Sequence, residues 1–144
     1  MREVENKQLT GATYVMGGSS ICSMIALYSH KSEAAVLLGL TLFILGDAVA
    51  ALVGKAFGRI RVGQKTLEGC LGCFIFCVLL AWIVFPQLPD FLKAWGGPFS
   101  IVQILLVSAA VSLLELFPIR LGKVVLNDNL YVPAVVSLAA LILP

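Results

Sequence analysis

The sequence predicts an all-α protein, a polytopic transmembrane helical bundle of about five spans with a cytoplasmic N-terminus. Three observations carry this. Of the 144 residues, 60% are hydrophobic and 12% charged, well above the apolar share of a soluble domain. The apolar residues fall into long uninterrupted windows, close to the roughly 20 residues a helix needs to cross a bilayer. The charges gather between those windows, and no alternating polar and apolar pattern points to a membrane strand. A net charge of +2 gives no basic excess for a nucleic acid polymer, and the length suits one membrane-embedded domain over residues 1–144.

The windows run Gly11 to Ser29, Ala34 to Val53, Leu67 to Phe85, Phe99 to Phe117 and Leu130 to Leu143. The last is short, so it must borrow from Val124 to Asn129, thin the bilayer locally, or end inside the protein. The opening MREVENKQ is mixed in charge with no A-x-A-like cleavage site after the first window, so the first span is read as retained. Pro86, Pro89, Gly96, Gly97 and Pro98 break the chain between the third and fourth spans and mark an external loop without evident chemistry. With the N-terminus inside, Arg2, Lys7, Lys55, Arg59, Arg61, Lys65, Arg120 and Lys123 are cytoplasmic and only Lys31 and Lys93 external, as the positive-inside rule requires.

The acids are not scattered. Asp47, Glu68, Glu115 and Asp128 all lie toward the cytoplasmic ends of spans. Glu68 and Asp128 also read as boundary residues at headgroup level. Asp47 sits in an otherwise uncharged run, where ionisation costs a few kcal/mol unless a cation or donor meets it. Asp47, Ala51, Gly54 and Gly58 share one helix face. That face is a packing seam for another helix, or room for a phosphate or metal beside the acid, and both readings hold together.

The segment GKAFGRIRVGQKTLEG, Gly54 to Gly69, sets Lys55, Arg59, Arg61 and Lys65 among glycines. It suits anionic lipid headgroups as well as a nucleotide. GRIRVGQKT has one residue too many for a P-loop and joins two spans rather than following a soluble strand, so that match is rejected. Cys70, Cys73 and Cys77 line one helix face without a second ligand pair and read as packing residues. His30 and the tryptophans and tyrosines near span ends read as interfacial.

The string GDAVAALVGKAFGRIRVGQKTLEG from Gly46 to Gly69, then Glu115, then DNLYVP from Asp128 to Pro133, resembles the CTP-dependent lipid-alcohol kinases, namely dolichol kinase, phytol kinase and the CTP-using diacylglycerol kinase. Older naming merges these with phosphatidate cytidylyltransferases. KQLTGATYVMGG, Lys7 to Gly18, looks like the segment before the family's acidic helix, so the likeness covers nearly the whole chain. Family members usually carry further membrane helices, with an Arg-Lys pair and a histidine, before the point where this chain begins. The resemblance implies transfer of the γ-phosphate of CTP to a membrane lipid alcohol (polyprenol or dolichol, phytol or diacylglycerol) with a divalent metal, Mg²⁺. For such chemistry the expectation is that Asp47 and Asp128 hold the metal and that Glu115 is a further ligand or the base. Arg59, Arg61 and Lys65 would neutralise phosphates, Gly54, Gly58 and Gly69 would permit close approach, and Glu68 and Asn129 would orient metal or ribose. The rivals are cytidylyltransferase-type synthesis of a CDP-lipid and a noncatalytic membrane subunit. A transporter is disfavoured because the acids crowd one end of the spans, not the midplane.

Overall fold

The computed structural model describes residues 11–117 and 127–143, with the backbone of 120–121 and 124–125. Arg2, Lys7, Lys123 and the Arg120 side chain, used in the orientation count, lie outside the described residues. Among those described, the chain forms six α-helices and two short antiparallel hairpins. Five helices occupy the five apolar windows: α1 (Gly11–Ala26), α2 (His30–Phe57), α3 (Leu67–Ile83), α5 (Ile101–Leu116) and α6 (Asp128–Ile142). The segments His30–Phe57 and Leu67–Gln87 are each long and apolar enough to cross a membrane, whereas α5 and α6 are shorter apolar helices.

The loop between the third and fourth windows is more ordered than its prolines and glycines imply. It holds a 3₁₀ turn, Phe85–Gln87, and a short helix α4, Pro89–Trp95. Phe85, Phe91, Trp95 and Phe99 stack there edge to face and face to face, and the Lys31 ammonium lies 5.7 Å from the Trp95 ring. The helix boundaries also move. α2 begins at His30 because Ser29 and Ser32 form a reciprocal cap, the Ser32 N–H donating to Ser29 Oγ at 3.1 Å and the Ser29 N–H to Ser32 Oγ at 2.7 Å. Two backbone donors are satisfied at once, and the polar HKSE stretch becomes helical. α6 begins at Asp128, two residues before its window, because the Asn127 side chain accepts from the Asn129 N–H at 3.0 Å.

The second departure is a hairpin where only a basic loop was expected. β1 (Arg61–Val62) pairs with β2 (Lys65–Thr66) around Gly63 and Gln64. Gly63 has φ +63° and Gln64 keeps a negative φ, the pattern of a two-residue turn with glycine first. Thr66 closes the hairpin and opens α3, its Oγ1 accepting from the Gly69 N–H at 3.2 Å. A second hairpin, β3 (Arg120–Leu121) with β4 (Val124–Val125), joins α5 to α6.

The long helix α2 is the axis of the bundle and packs against α1, α3, α4, α5 and α6. Its Leu38, Leu42 and Phe43 meet Cys73 and Cys77 of α3, Val107 and Val111 of α5, and Val132 and Val136 of α6 in one core. Cys22, Cys70, Cys73 and Cys77 are free and buried, as the packing reading expects. The outward faces are apolar too: Met24, Leu52, Leu71, Ile75, Trp82 and Leu113 are exposed. A surface of that composition belongs in lipid, since a soluble monomer rarely shows continuous apolar patches of this kind.

Small residues let backbones meet. A Cβ on Gly69 would stand 2.7 Å from the Ala50 carbonyl oxygen, so α3 crosses α2 at contact distance there. At α6 the proline at Pro133 has no N–H for the Asn129 carbonyl four residues earlier, and that carbonyl is the atom Gly18 of α1 approaches, leaving no room for a Cβ. Gly69→Ala is therefore expected to destabilise the protein by about 1–3 kcal/mol through forced separation of α2 and α3. Gly11→Ala, with nothing within 4 Å of its Cβ, should stay within about 0.5 kcal/mol. Thermal unfolding of both variants in detergent checks the contrast.

Candidate functional site

The four residues with the most conspicuous charge pattern in the sequence come together in space. Asp47 projects from α2, Glu115 from the last turn of α5, Asp128 from the first position of α6, and Lys65 from β2. Lys65 Nζ donates to Glu115 Oε1 at 2.5 Å, to Asp128 Oδ2 at 2.9 Å and to Asp47 Oδ1 at 3.5 Å. An ammonium has three donors and no acceptor, so one lysine answers three carboxylates from three helices. The Glu115 side chain is only 3% exposed and that of Asp47 is 40% exposed, so the cluster runs from a buried floor to an open edge. Burial alone would lower the Lys65 pKa, but the hydrogen bonds to Glu115 and Asp128 outweigh it and hold the ammonium above its ordinary range.

Beside this cluster lies an open cleft of about 530 Å³, of the size that takes a small-molecule ligand. Its acidic end is Asp47 and Glu115, its wall is Ala50, Ala51, Gly54, Gly58 and Gly69, and its basic side is Lys55, Arg61 and Lys65, with Gln64, Thr66 and Cys70 completing it. The glycines matter because a Cβ on Gly54 would stand 2.7 Å from Thr66 Oγ1 and one on Gly58 would meet Thr66 Cγ2. That helix face therefore packs against the hairpin and also lines the cleft.

Other residues singled out in the sequence are placed elsewhere. Glu68 accepts from the Ile60 N–H through both carboxylate oxygens, at 3.1 and 3.2 Å, and so braces the start of the hairpin. With Arg59 it borders a neighbouring depression behind Gly58. The Asn129 N–H turns to Asn127 Oδ1 and Asp128 Oδ1, both at 3.0 Å, which fixes the first turn of α6 and hence the Asp128 carboxylate. Lys55, Gln64, Thr66 and Cys70 were not singled out as cleft residues. Lys55 was legible, four residues after Ala51 and so on the same helix face; Thr66 and Gln64 depend on the hairpin, which the hydrophobic windows do not reveal.

Among the described residues, no three His, Cys, Asp or Glu side chains are drawn up as a ready metal site. The Lys65 ammonium stands where the three acids converge. The three acids offer carboxylate oxygens, the donor type a hard divalent cation takes, and the cleft lies alongside them. Three carboxylates and one ammonium also leave a formal surplus of two negative charges.

Apolar helices with an acid–lysine cluster and a glycine-walled cleft at one end of the bundle are the features of a membrane protein with a polar recess. The chain is similar to the dolichol kinase of Saccharomyces cerevisiae, 35% identical over 101 residues, which is 67% of this chain and 17% of that enzyme. It is also similar to an uncharacterized protein of Methanocaldococcus jannaschii, 30% identical over 134 residues, 92% of this chain and 59% of the relative. The yeast match relates the chain to a lipid kinase, although it spans only a small part of that enzyme's length. No protein-family model matches the chain, and no solved structure does.

Because Glu115 is buried and Lys65 is its cation, Lys65→Met should cost about 3 kcal/mol or more, the price of an unpaired buried charge. Asp47→Asn removes a half-exposed partner at 3.5 Å and should cost no more than about 1 kcal/mol. Melting temperatures of the two variants in the same detergent test the ranking; equal losses would show that the cluster is not graded by burial.

Proposed function

We propose that this chain forms the nucleotide- and metal-handling part of a CTP-dependent lipid kinase. In this reading it transfers the γ-phosphate of CTP to the hydroxyl of a membrane lipid alcohol, a polyprenol, phytol or diacylglycerol, and releases CDP. The observation that carries the reading is the convergence of Asp47, Glu115 and Asp128 on one point beside a cleft with a basic side. Phosphoryl transfer asks little covalent chemistry of a protein and much charge neutralisation and alignment. Similarity to dolichol kinase supplies the acceptor class, and the resemblance of the Gly46–Gly69 and Asp128–Pro133 segments supplies CTP.

In the proposed mechanism Asp47 and Asp128 would hold Mg²⁺, which would supply positive charge to offset that of the phosphates. Arg61 and Lys65 meet the phosphate oxygens from the hairpin side, and Gly54 and Gly58 let the nucleotide approach the α2 backbone. The lipid hydroxyl oxygen forms a bond to the γ-phosphorus, the bond from that phosphorus to the β-phosphate oxygen breaks, and the hydroxyl proton passes to a carboxylate of the trio, here assigned to Glu115. A lipid hydroxyl rides at headgroup level, and the cluster lies at the ends of α5 and α6, where such a hydroxyl is within reach. Positive charge accompanies it: Lys55, Arg59, Arg61 and Lys65 are at this end, while Lys31 and Lys93 belong with the aromatic cluster at the other. By the positive-inside rule the site faces the cytoplasm and the protein is multi-pass.

Purified protein in lipid should move label from γ-³²P-CTP to a polyprenol, phytol or diacylglycerol, with CDP as the second product. Label entering lipid from α-³²P-CTP with release of pyrophosphate would establish cytidylyl transfer instead. Asp47→Asn should lower turnover by about 100-fold while the protein stays folded, and unchanged activity would remove Asp47 from the site. In intact cells a membrane-impermeant thiol reagent should label Lys93→Cys and spare Arg61→Cys; the reverse pattern would place the site outside.

A further inference from the structure

The cluster contains its own cation. We infer that Lys65 is an exchangeable counter-ion of the acid trio, so that a divalent metal enters with the nucleotide and not ahead of it. The inference rests on the reading that the cleft takes a metal–nucleotide complex, and it adds the order in which that complex assembles.

Lys65 Nζ lies within 3.5 Å of one oxygen of each of the three carboxylates, so the point where those oxygens converge already holds a cation. A second cation cannot share them at that distance, because like charges a few ångströms apart repel strongly in a partly buried site. The metal must therefore displace the ammonium, and a displaced ammonium needs an anion. Lys65 also lines the cleft, as Arg61 does, so rotation about its four-carbon stem carries Nζ from the acids toward the space assigned to phosphate. A nucleotide arriving with its metal supplies both exchanges together: the acids receive the metal and the ammonium receives a phosphate. Metal alone supplies only one and leaves Lys65 unpaired. Glu115, buried on the floor, has a cation before and after.

The test is metal binding, read by the electron paramagnetic resonance of Mn²⁺ with no nucleotide present. The unaltered protein in detergent should bind Mn²⁺ weakly, and Lys65→Met should bind it about tenfold or more tightly. Adding Asp128→Asn to Lys65→Met should abolish the gain. Mn²⁺ should also raise the melting temperature of Lys65→Met and leave that of the unaltered protein nearly unmoved. Equal Mn²⁺ affinity with and without Lys65 overturns the inference.

Lys65→Met strips a buried acid of its partner, so a second measurement uses the unaltered chain. Acylation of Lys65, quantified by mass spectrometry against Lys93, should rise when Mn²⁺ alone is driven to saturation, and reactivity that stays flat overturns the exchange. γ-Phosphate transfer without any gain of Mn²⁺ binding in Lys65→Met would sink the exchange and leave the kinase reading standing. The gain without transfer would leave the exchange and sink the kinase reading.

Discussion

A carboxylate almost wholly withdrawn from solvent at the end of an apolar helix must find a cation, and in this protein that constraint organises one whole end of the bundle. Glu115 is that carboxylate and Lys65 its cation. Lys65 sits on a hairpin only two residues deep on each side, which cannot be stable alone. Its position comes from the groups around it: Thr66 caps α3, Glu68 binds the Ile60 N–H, and Gly54 and Gly58 leave space for the threonine. Removing any of these loosens the ammonium that neutralises the acids. The ion cluster and the hairpin are thus one device.

The helices deliver the charged groups because they alternate in direction. Successive antiparallel elements bring the end of α2, the start of α3, the end of α5 and the start of α6 to the same level, so acids as far as 63 positions from Lys65 meet at its nitrogen. The opposite level holds no such cluster among the described residues. There Phe85, Phe91, Trp95 and Phe99 close the bundle with aromatic contacts, and Lys31 lies over the Trp95 ring. Among the described residues the bundle is thus aromatic at one end and ionic at the other.

The site is also economical in how it handles cost. Ionised groups in or near a bilayer are expensive when unpaired, yet three carboxylates here share one ammonium. The gradient from buried Glu115 through Asp128 to half-exposed Asp47 reconciles the two. The deepest acid is the most tightly paired, and the acid with the weakest partner faces the open cleft, where solvent carries part of its charge.

The five apolar windows, the gathering of acids at one end and the basic glycine-rich segment were all legible in the chain itself. Each rests on local physics: the length of helix a bilayer demands, the expense of a charge inside it, and the repeat that sets Asp47, Ala51, Gly54 and Gly58 on one face. The boundary at His30 was missed because caps depend on which side chain turns back on the backbone, and hydropathy does not record this, whereas the start of α6 at Asp128 lies within the Val124 to Asn129 stretch from which the short fifth window was expected to borrow. The hairpin was missed because two residues in each strand give no periodicity, and only Gly63 marks its turn. Tertiary structure alone decided that Lys65 answers the acids and that Glu68 braces the hairpin. A lysine among glycines is equally suited to lipid, phosphate or carboxylate, and the choice among them is made by whichever opposite charge the packing of distant helices leaves within a few ångströms.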